Sequence, residues 1–262
     1  MPEPKTKPHS LIELRQVAIA DSHSTHVAVI EEVTWRIESG DYWAVGGLPG
    51  SGKSDLLATA AGLQKPLAGF YEMFGRDTTD LSAEELAEER LRIGLVFANE
   101  GRLFQHLTVA ENVALPLTYH RNLRRTEAAE SVAQLLNLVE LSSVAHRMPS
   151  AIHRYLRQRA ALARALALRP EVLLLDEPVR GLDRRDIRWW LEFLCALSKG
   201  HRFFDGRKMT LVVTSNDLSL WADQAEKFAL INRKHWMFLG GRTELKAHTE
   251  PIVRELLEFM GT

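Results

Sequence analysis

Two short runs carry residue types suited to phosphate chemistry. The first is Gly47-x-x-x-x-Gly52-Lys53-Ser54, a spacing that lets backbone N–H groups curl around phosphate oxygens while a following helix presents its positive end. Gly47, Gly50, Ser51 and Gly52 would form the cradle, Lys53 would reach the β- and γ-phosphates, and the Ser54 hydroxyl would ligate Mg²⁺. The second run, Leu173-Leu-Leu-Asp176-Glu177, ends an apolar strand in an acid able to hold Mg²⁺. Glu177 follows, where a carboxylate can orient and deprotonate an attacking water. A glycine-rich turn and a strand ending in Asp-Glu are each commonplace. Together they point to an ATP or GTP site.

Such a site needs a strand before its loop and a helix after it. Tyr42–Gly46 (YWAVG) is a short apolar strand running into Gly47, and Asp55–Ala61 has helical composition with Gly62 as its stop. Leu11–Ala20, Val27–Ile37, Gly69–Gly75, Ile93–Phe97, Val172–Leu175 and Leu211–Thr214 read as further strands, with Phe228–Ile231 and Trp236–Leu239 as weaker ones. Ser82-Ala-Glu-Glu85 and Thr108-Val-Ala-Glu111 are capping boxes that open helices. From about Thr108 to Leu168 the period is helical almost throughout, and Arg184–Leu197 reads as another helix. Strands alternating with helices predict a mostly parallel sheet covered on both faces, with the helical stretch inserted into it. Met1–Ser10, rich in proline, reads as a disordered lead-in, and residues 11–262 as one domain with a helical subdomain at about 100–168.

Composition narrows the field. Lys+Arg 33 against Asp+Glu 34 gives a charge of -1, which argues against a protein that coats nucleic acid. One cysteine leaves no internal disulfide and no cysteine-rich zinc site. No apolar run approaches the ~18 residues of a membrane span, so any role at a membrane is expected through a partner. The histidines show no metal-ligand spacing, Cys195 reads as core filler, and one of Trp189 and Trp190 is expected in the core. Arg121–Arg125 and Arg180–Arg188 read as solvated faces.

Gly47–Ser54, Val172–Pro178 (VLLLDEP), Gly181-Leu182-Asp183 and Gln158–Leu166 (QRAALARAL) resemble the nucleotide-binding subunit of an ATP-binding cassette (ABC) transporter. The resemblance runs from Leu11 to Thr262. It implies an α/β, P-loop NTPase (RecA-like) cassette with an antiparallel β subdomain and an inserted helical subdomain. It also implies ATP and Mg²⁺ as ligands, membrane permease subunits as partners, and a second ATPase subunit in a homo- or heterodimer. The chain would then sit in the cytoplasm, peripheral to the cytoplasmic face of the inner or plasma membrane. Gly94–Leu117 and Glu250–Phe259 (EPIVRELLEF) more narrowly resemble the ATPases of Mla-type, Mce-associated phospholipid transporters, which implies lipid as cargo, although Gly101–Leu117 is also similar to several importers.

Several positions depart from the family pattern. In the family each ATP lies between one chain's phosphate loop and a Leu-Ser-Gly-Gly-Gln signature from the other. Anchored on Gln158-Arg159, the matching run here is Ile152-His153-Arg154-Tyr155-Leu156. The side chains of Arg154 and Tyr155 would obstruct close backbone approach, and one lost donor of this kind costs about 3–4 kcal/mol in a transition state. Arg154 could instead offer its guanidinium to a phosphate. The family's Mg²⁺-contacting glutamine aligns with Ala98, or with Asn99 after a one-residue shift. Its switch histidine, which contacts the γ-phosphate, aligns with Asn216, which can hydrogen-bond but cannot carry a positive charge. Asp55 replaces a small hydroxyl residue and would bring a carboxylate near the α-phosphate. The adenine-stacking aromatic expected around Ala20–His26 is absent. An intact Lys53, Ser54, Asp176 and Glu177 beside an altered signature suggests the degenerate half of a heterodimer. The alternative is a regulatory subunit that binds ATP without hydrolysing it.

Overall fold

A computed structural model of the chain describes residues 10–98 and 102–258 and gathers the apolar runs into one ten-stranded sheet. Leu11–Ala20 and Val27–Ile37 become β1 (Ser10–Asp21) and β2 (Ser24–Glu38), longer than their apolar centres. Two residues, Ser22 and His23, separate these strands, and so short a turn can join only antiparallel neighbours. Bulges break their pairing near Gln16 and Glu32, which take left-handed φ values of 51° and 55°. Then come β3 (Tyr42–Gly47), β4 (Ala68–Met73), β5 (Arg76–Asp77) and β6 (Ile93–Val96). The remaining strands are β7 (Val172–Leu175), β8 (Thr210–Ser215), β9 (Lys227–Asn232) and β10 (His235–Gly240).

The strand order is β5-β4-β1-β2-β10-β9-β3-β8-β7-β6. Only the β9-β3-β8-β7-β6 part is continuously parallel, so the mostly parallel sheet expected from element alternation is corrected to a mixed one. β5, β4, β1 and β2 form an antiparallel wing whose strand pairing with the rest of the sheet, among the described residues, is one bridge between Glu31 and His235. β3, β7 and β8 are buried along their whole lengths, as strands covered on both faces must be. Their side chains alternate between two cores. Trp43, Val45, Leu174 and Val212 pack under α1 (Lys53–Ala60), whereas Tyr42, Ala44, Leu173 and Val213 face the helical layer.

The helical insertion lies between β6 and β7, after the short α2 (Ala83–Arg90). It holds α3 (Val109–His120), α4 (Arg125–Leu138) and α5 (Arg154–Leu166), with two 3₁₀ turns at Ser142–Val144 and Pro149–Ala151 interrupting the continuous helical period expected there. α6 (Arg184–Lys199) buries Trp190 and leaves Trp189 partly covered, and Cys195 is half-buried. Two short helices close the chain, α7 (Arg242–Ala247) and α8 (Pro251–Glu258). No helix among the described residues is long and apolar enough to cross a membrane.

Both capping boxes form. The Glu85 amide donates to Ser82 Oγ at 3.2 Å and the Ser82 amide to Glu85 Oε2 at 2.9 Å, with matching bonds between Thr108 and Glu111. The Ser82 amide, followed by Arg76, holds the Glu85 carboxyl down at about 2. A carboxyl depressed on folding stabilises the native state above its unfolded value and loses that contribution as pH falls toward the folded one. Glu85→Gln should therefore lower the melting temperature near neutral pH, and the gap from wild type should narrow between pH 4.5 and 2. Melting curves recorded across that range check it.

Candidate functional site

The parallel register brings three strand ends side by side. Val45 and Gly46 of β3 lie opposite Thr214 and Ser215 of β8, and Leu175 of β7 lies opposite Val213. Just beyond these ends sit the loop of residues 47–52, the Asp176-Glu177 pair and Asn216. The loop has no room for side chains at its pivots. A Cβ on Gly47 would lie 2.5 Å from Ser51 Oγ. One on Gly52, whose φ is +95°, would press on Val29 at 3.0 Å.

Lys53 opens α1 and turns its ammonium back into the loop. Its Nζ donates to the carbonyls of Gly47 (2.7 Å) and Leu48 (3.0 Å) and to Asn216 Oδ1 (2.8 Å), and lies 3.2 Å from Glu177 Oε1. Lys53 is only 4% exposed. Burial pushes its pKa below the ordinary lysine value, and the neighbouring Glu177 carboxylate opposes that shift without cancelling it. Asn216 bridges the pair, donating from Nδ2 to Glu177 Oε2 at 3.3 Å. Arg180 Nη1 approaches the same oxygen at 3.1 Å. The candidate base thus meets three donors, from Lys53, Asn216 and Arg180.

Ser54 donates its hydroxyl to Asp176 Oδ2 at 2.6 Å. Two hard oxygens on rigid elements suit Mg²⁺, which keeps several waters and takes only one or two protein oxygens beside phosphates. Among the described residues no group of three or more His, Cys, Asp or Glu is placed to hold a metal ion. The cradle at Gly47, the buried ammonium of Lys53 and this oxygen pair fit a magnesium-bound nucleoside triphosphate.

Other expected residues fall differently. Asp55 Oδ1 accepts from the Ser22 amide at 3.1 Å, so its carboxylate ties α1 to the β1–β2 turn. Ser51 Oγ is buried beneath Gly47 and has no hydrogen-bond partner among the described residues. Ala98 lies in the turn after β6, and Asn99 lies outside the described residues. His153 is the N-cap of α5 and supplies no side-chain cap; its ring stacks on Tyr155 with centroids 6.0 Å apart. The Arg154 guanidinium packs over Gly181, where an added Cβ would meet Nη1 at 2.8 Å. Sequence reading missed two contributors. Arg180 lies in a run that reads as a solvated basic face, and Thr214 reads only as the end of a strand, although its Oγ1 donates to the Asp176 carboxylate and accepts from the Glu177 amide. A hydroxyl at the end of a wholly buried apolar strand, two residues before Asn216, was the available signal.

Comparison with known proteins gives a consistent picture. A family model described as ABC transporter matches residues 30–180. The sulfate/thiosulfate import ATP-binding protein CysA of Yersinia pestis is 36% identical over 239 residues, covering 89% of this chain and 61% of that protein. The chain therefore spans less than two thirds of that relative's length. CysA 2 of Shewanella oneidensis is 36% identical over 256 residues, covering 95% of this chain and 67% of its own. A dimeric ATP-binding cassette solved in a post-hydrolysis state with ADP and Pi superposes with a TM-score of 0.76 at 28% identity, covering 88% of this chain and 99% of that one. The cbiO1 subunit from Clostridium perfringens, part of the cbiONQ transporter complex, shares the fold at a TM-score of 0.76 and 20% identity, covering 97% of this chain and 96% of its own. The lipid-transporter likeness finds no support in these relatives.

The Lys53 geometry has a pH consequence. An ammonium whose pKa is lowered by burial loses its proton at lower pH than an ordinary lysine, so triphosphate affinity should fall on the alkaline side before free lysine titrates. Glu177→Gln removes the largest of the influences that raise the Lys53 pKa, so the fall should begin at lower pH in that variant. Binding of a fluorescent ATP analogue across an alkaline pH series measures both curves.

Proposed function

This chain belongs to the ABC transporter family, and on that footing we propose that it is an ATP-binding and ATP-hydrolysing subunit that drives a separate membrane permease. The observation that carries this reading is the convergence of Lys53, Ser54, Asp176 and Glu177 at one end of three parallel strands. Lys53 and the loop amides bind the β- and γ-phosphates of ATP. Ser54 and Asp176 would hold Mg²⁺, which when bound neutralises phosphate charge during transfer. Glu177 orients a water and takes its proton, and Asn216 steadies that carboxylate. Lys53 must exchange part of its present bonding for phosphate oxygens, so nucleotide binding and the Lys53–Asn216–Glu177 contacts are coupled.

The relatives support a reading of cargo and partners. The named sulfate and thiosulfate importers favour a small inorganic oxyanion over a lipid. The solved dimeric cassette favours pairing with a second cassette. The run His153-Arg154-Tyr155 at the start of α5 supports a heterodimer in which a partner with a glycine-rich signature completes the site over Lys53 and Glu177. The groove along β6, lined by Phe97, Pro116, Tyr119 and Arg164, offers the permease a partly apolar surface beside the helical insertion. Peripheral attachment to the cytoplasmic side of a membrane would come through that contact.

The same His153-Arg154-Tyr155 run supports a second reading, a regulatory subunit that binds ATP without turnover. ATP hydrolysis by the assembled complex separates the two. Lys53→Ala should abolish nucleotide binding by this chain. Glu177→Gln should keep binding and cut turnover about 10²–10⁴-fold, the usual worth of a positioned general base. Turnover unchanged by Glu177→Gln would favour the regulatory role. Full steady-state hydrolysis by the purified chain alone would rule out the heterodimer. Cells lacking the chain should show reduced sulfate or thiosulfate uptake, whereas unchanged uptake of both anions excludes that cargo.

A further inference from the structure

β8 reads Thr210-Leu-Val-Val-Thr-Ser215, and every one of its residues is buried. Val213 precedes Thr214, and a valine at 214 would fill nearly the same volume as threonine. The hydroxyl is thus the distinguishing feature of the position, and it is fully used. A threonine hydroxyl has one proton to give and lone pairs to receive. Here Oγ1 donates to Asp176 Oδ1 at 2.9 Å and accepts from the Glu177 amide at 3.0 Å. Thr214 is 0% exposed, so water cannot replace either bond.

The two bonds act on two different problems. Asp176 accepts from Ser54 through Oδ2 and from Thr214 through Oδ1, so both carboxylate oxygens are tied and the plane of the group is set. Glu177 is a non-glycine residue at a left-handed φ of 45°, a conformation that persists only when its surroundings hold it. Its amide is held by Thr214, while its side chain meets Lys53, Arg180 and Asn216. We infer that Thr214 is a positioning residue that fixes the orientation of the Mg²⁺-holding Asp176 and the backbone of the candidate base Glu177 through one shared hydroxyl. The inference rests on the ATP-binding reading. Groups that orient a metal ligand are commonly worth about 10–100-fold in metal affinity or activity.

The test uses the full chain with a fluorescent ATP analogue. Thr214→Val removes the hydroxyl and keeps the shape, Thr214→Ala removes both, and Thr214→Ser restores the hydroxyl. In Thr214→Val the Mg²⁺ concentration needed for half-maximal nucleotide binding should rise about tenfold or more. Binding measured in EDTA should stay within about twofold of wild type. Amide hydrogen exchange at Glu177, measured without nucleotide, should be slow in wild type and Thr214→Ser and faster in Thr214→Val. If Thr214→Val does not fold, Thr214→Ala is held to the same criteria.

Unchanged Mg²⁺ dependence, or an equal loss of binding in EDTA, overturns the role of Thr214 while leaving the ATP reading intact. A wild-type chain that binds no nucleotide in either condition overturns the ATP reading. Glu177 exchange then decides the Thr214 contact: slow exchange lost in Thr214→Val supports it, and exchange unaffected by the substitution refutes it.

Discussion

The site depends on three parallel strands that end at the same level. β3 pairs with β8 so that Val45 faces Thr214, and β8 pairs with β7 so that Val213 faces Leu175. That register delivers the glycine loop, the Asp176-Glu177 pair and Asn216 to one edge of the sheet. A one-residue slip of β7 would exchange the faces of Leu173 and Leu174, placing each in the wrong core, and would carry Asp176 away from Ser54. Apolar burial on both faces is therefore what aligns the polar chemistry at the end. The antiparallel wing contributes through contact rather than register, with Val29 closing over Gly52 and Ser22 holding Asp55.

Electrostatics at that edge are governed by desolvation. Lys53 is almost wholly buried, and an ammonium in that position persists only because it is surrounded by acceptors: two carbonyls, an amide oxygen and the Glu177 carboxylate. Removing one partner from a buried ion pair typically destabilises by about 3–5 kcal/mol, because the survivor remains buried without compensation. The cluster is thus a site whose members depend on one another, with Thr214 and Ser54 performing for Asp176 what Asn216 and Arg180 perform for Glu177.

The start of α5 has a different character. Where a glycine-rich run would expose bare backbone amides, this chain carries a layer of large side chains. His153 stacks on Tyr155, Arg159 lies 3.8 Å from the Trp189 ring centroid, and Trp189 stacks on Phe193 at 5.0 Å. Arg154 is packed on Gly181, four residues beyond Glu177. The run His153-Arg154-Tyr155 is therefore integrated into the packing of α5, α6 and the segment after β7.

Much of this was legible in the residues. Gly47–Ser54, Leu173–Glu177, both capping boxes and most strands follow from spacing and local chemistry, because hydrogen bonds within a few residues and apolar periodicity are properties of the chain itself. Element alternation by itself points to a mostly parallel sheet and says nothing about the wing made by β1, β2, β4 and β5, the antiparallel subdomain that the family resemblance implies. The 3₁₀ breaks after α4 and the six-residue α7 carry too little periodicity to be legible, whereas α8 is amphipathic but only eight residues long. The sequence by itself determined a glycine-rich run leading into a helix at Lys53 and a buried apolar strand ending at Asp176-Glu177. Only the tertiary structure decided that Lys53 is shared between Asn216 and Glu177, that Arg180 reaches that carboxylate, and that Thr214 bonds both acids. The Lys53–Asn216 pairing joins residues 163 positions apart, and it and the Thr214 bonds exist because the strands stack in register, a relation no local pattern encodes; the Arg180 contact is local but needs the turn after β7 to form.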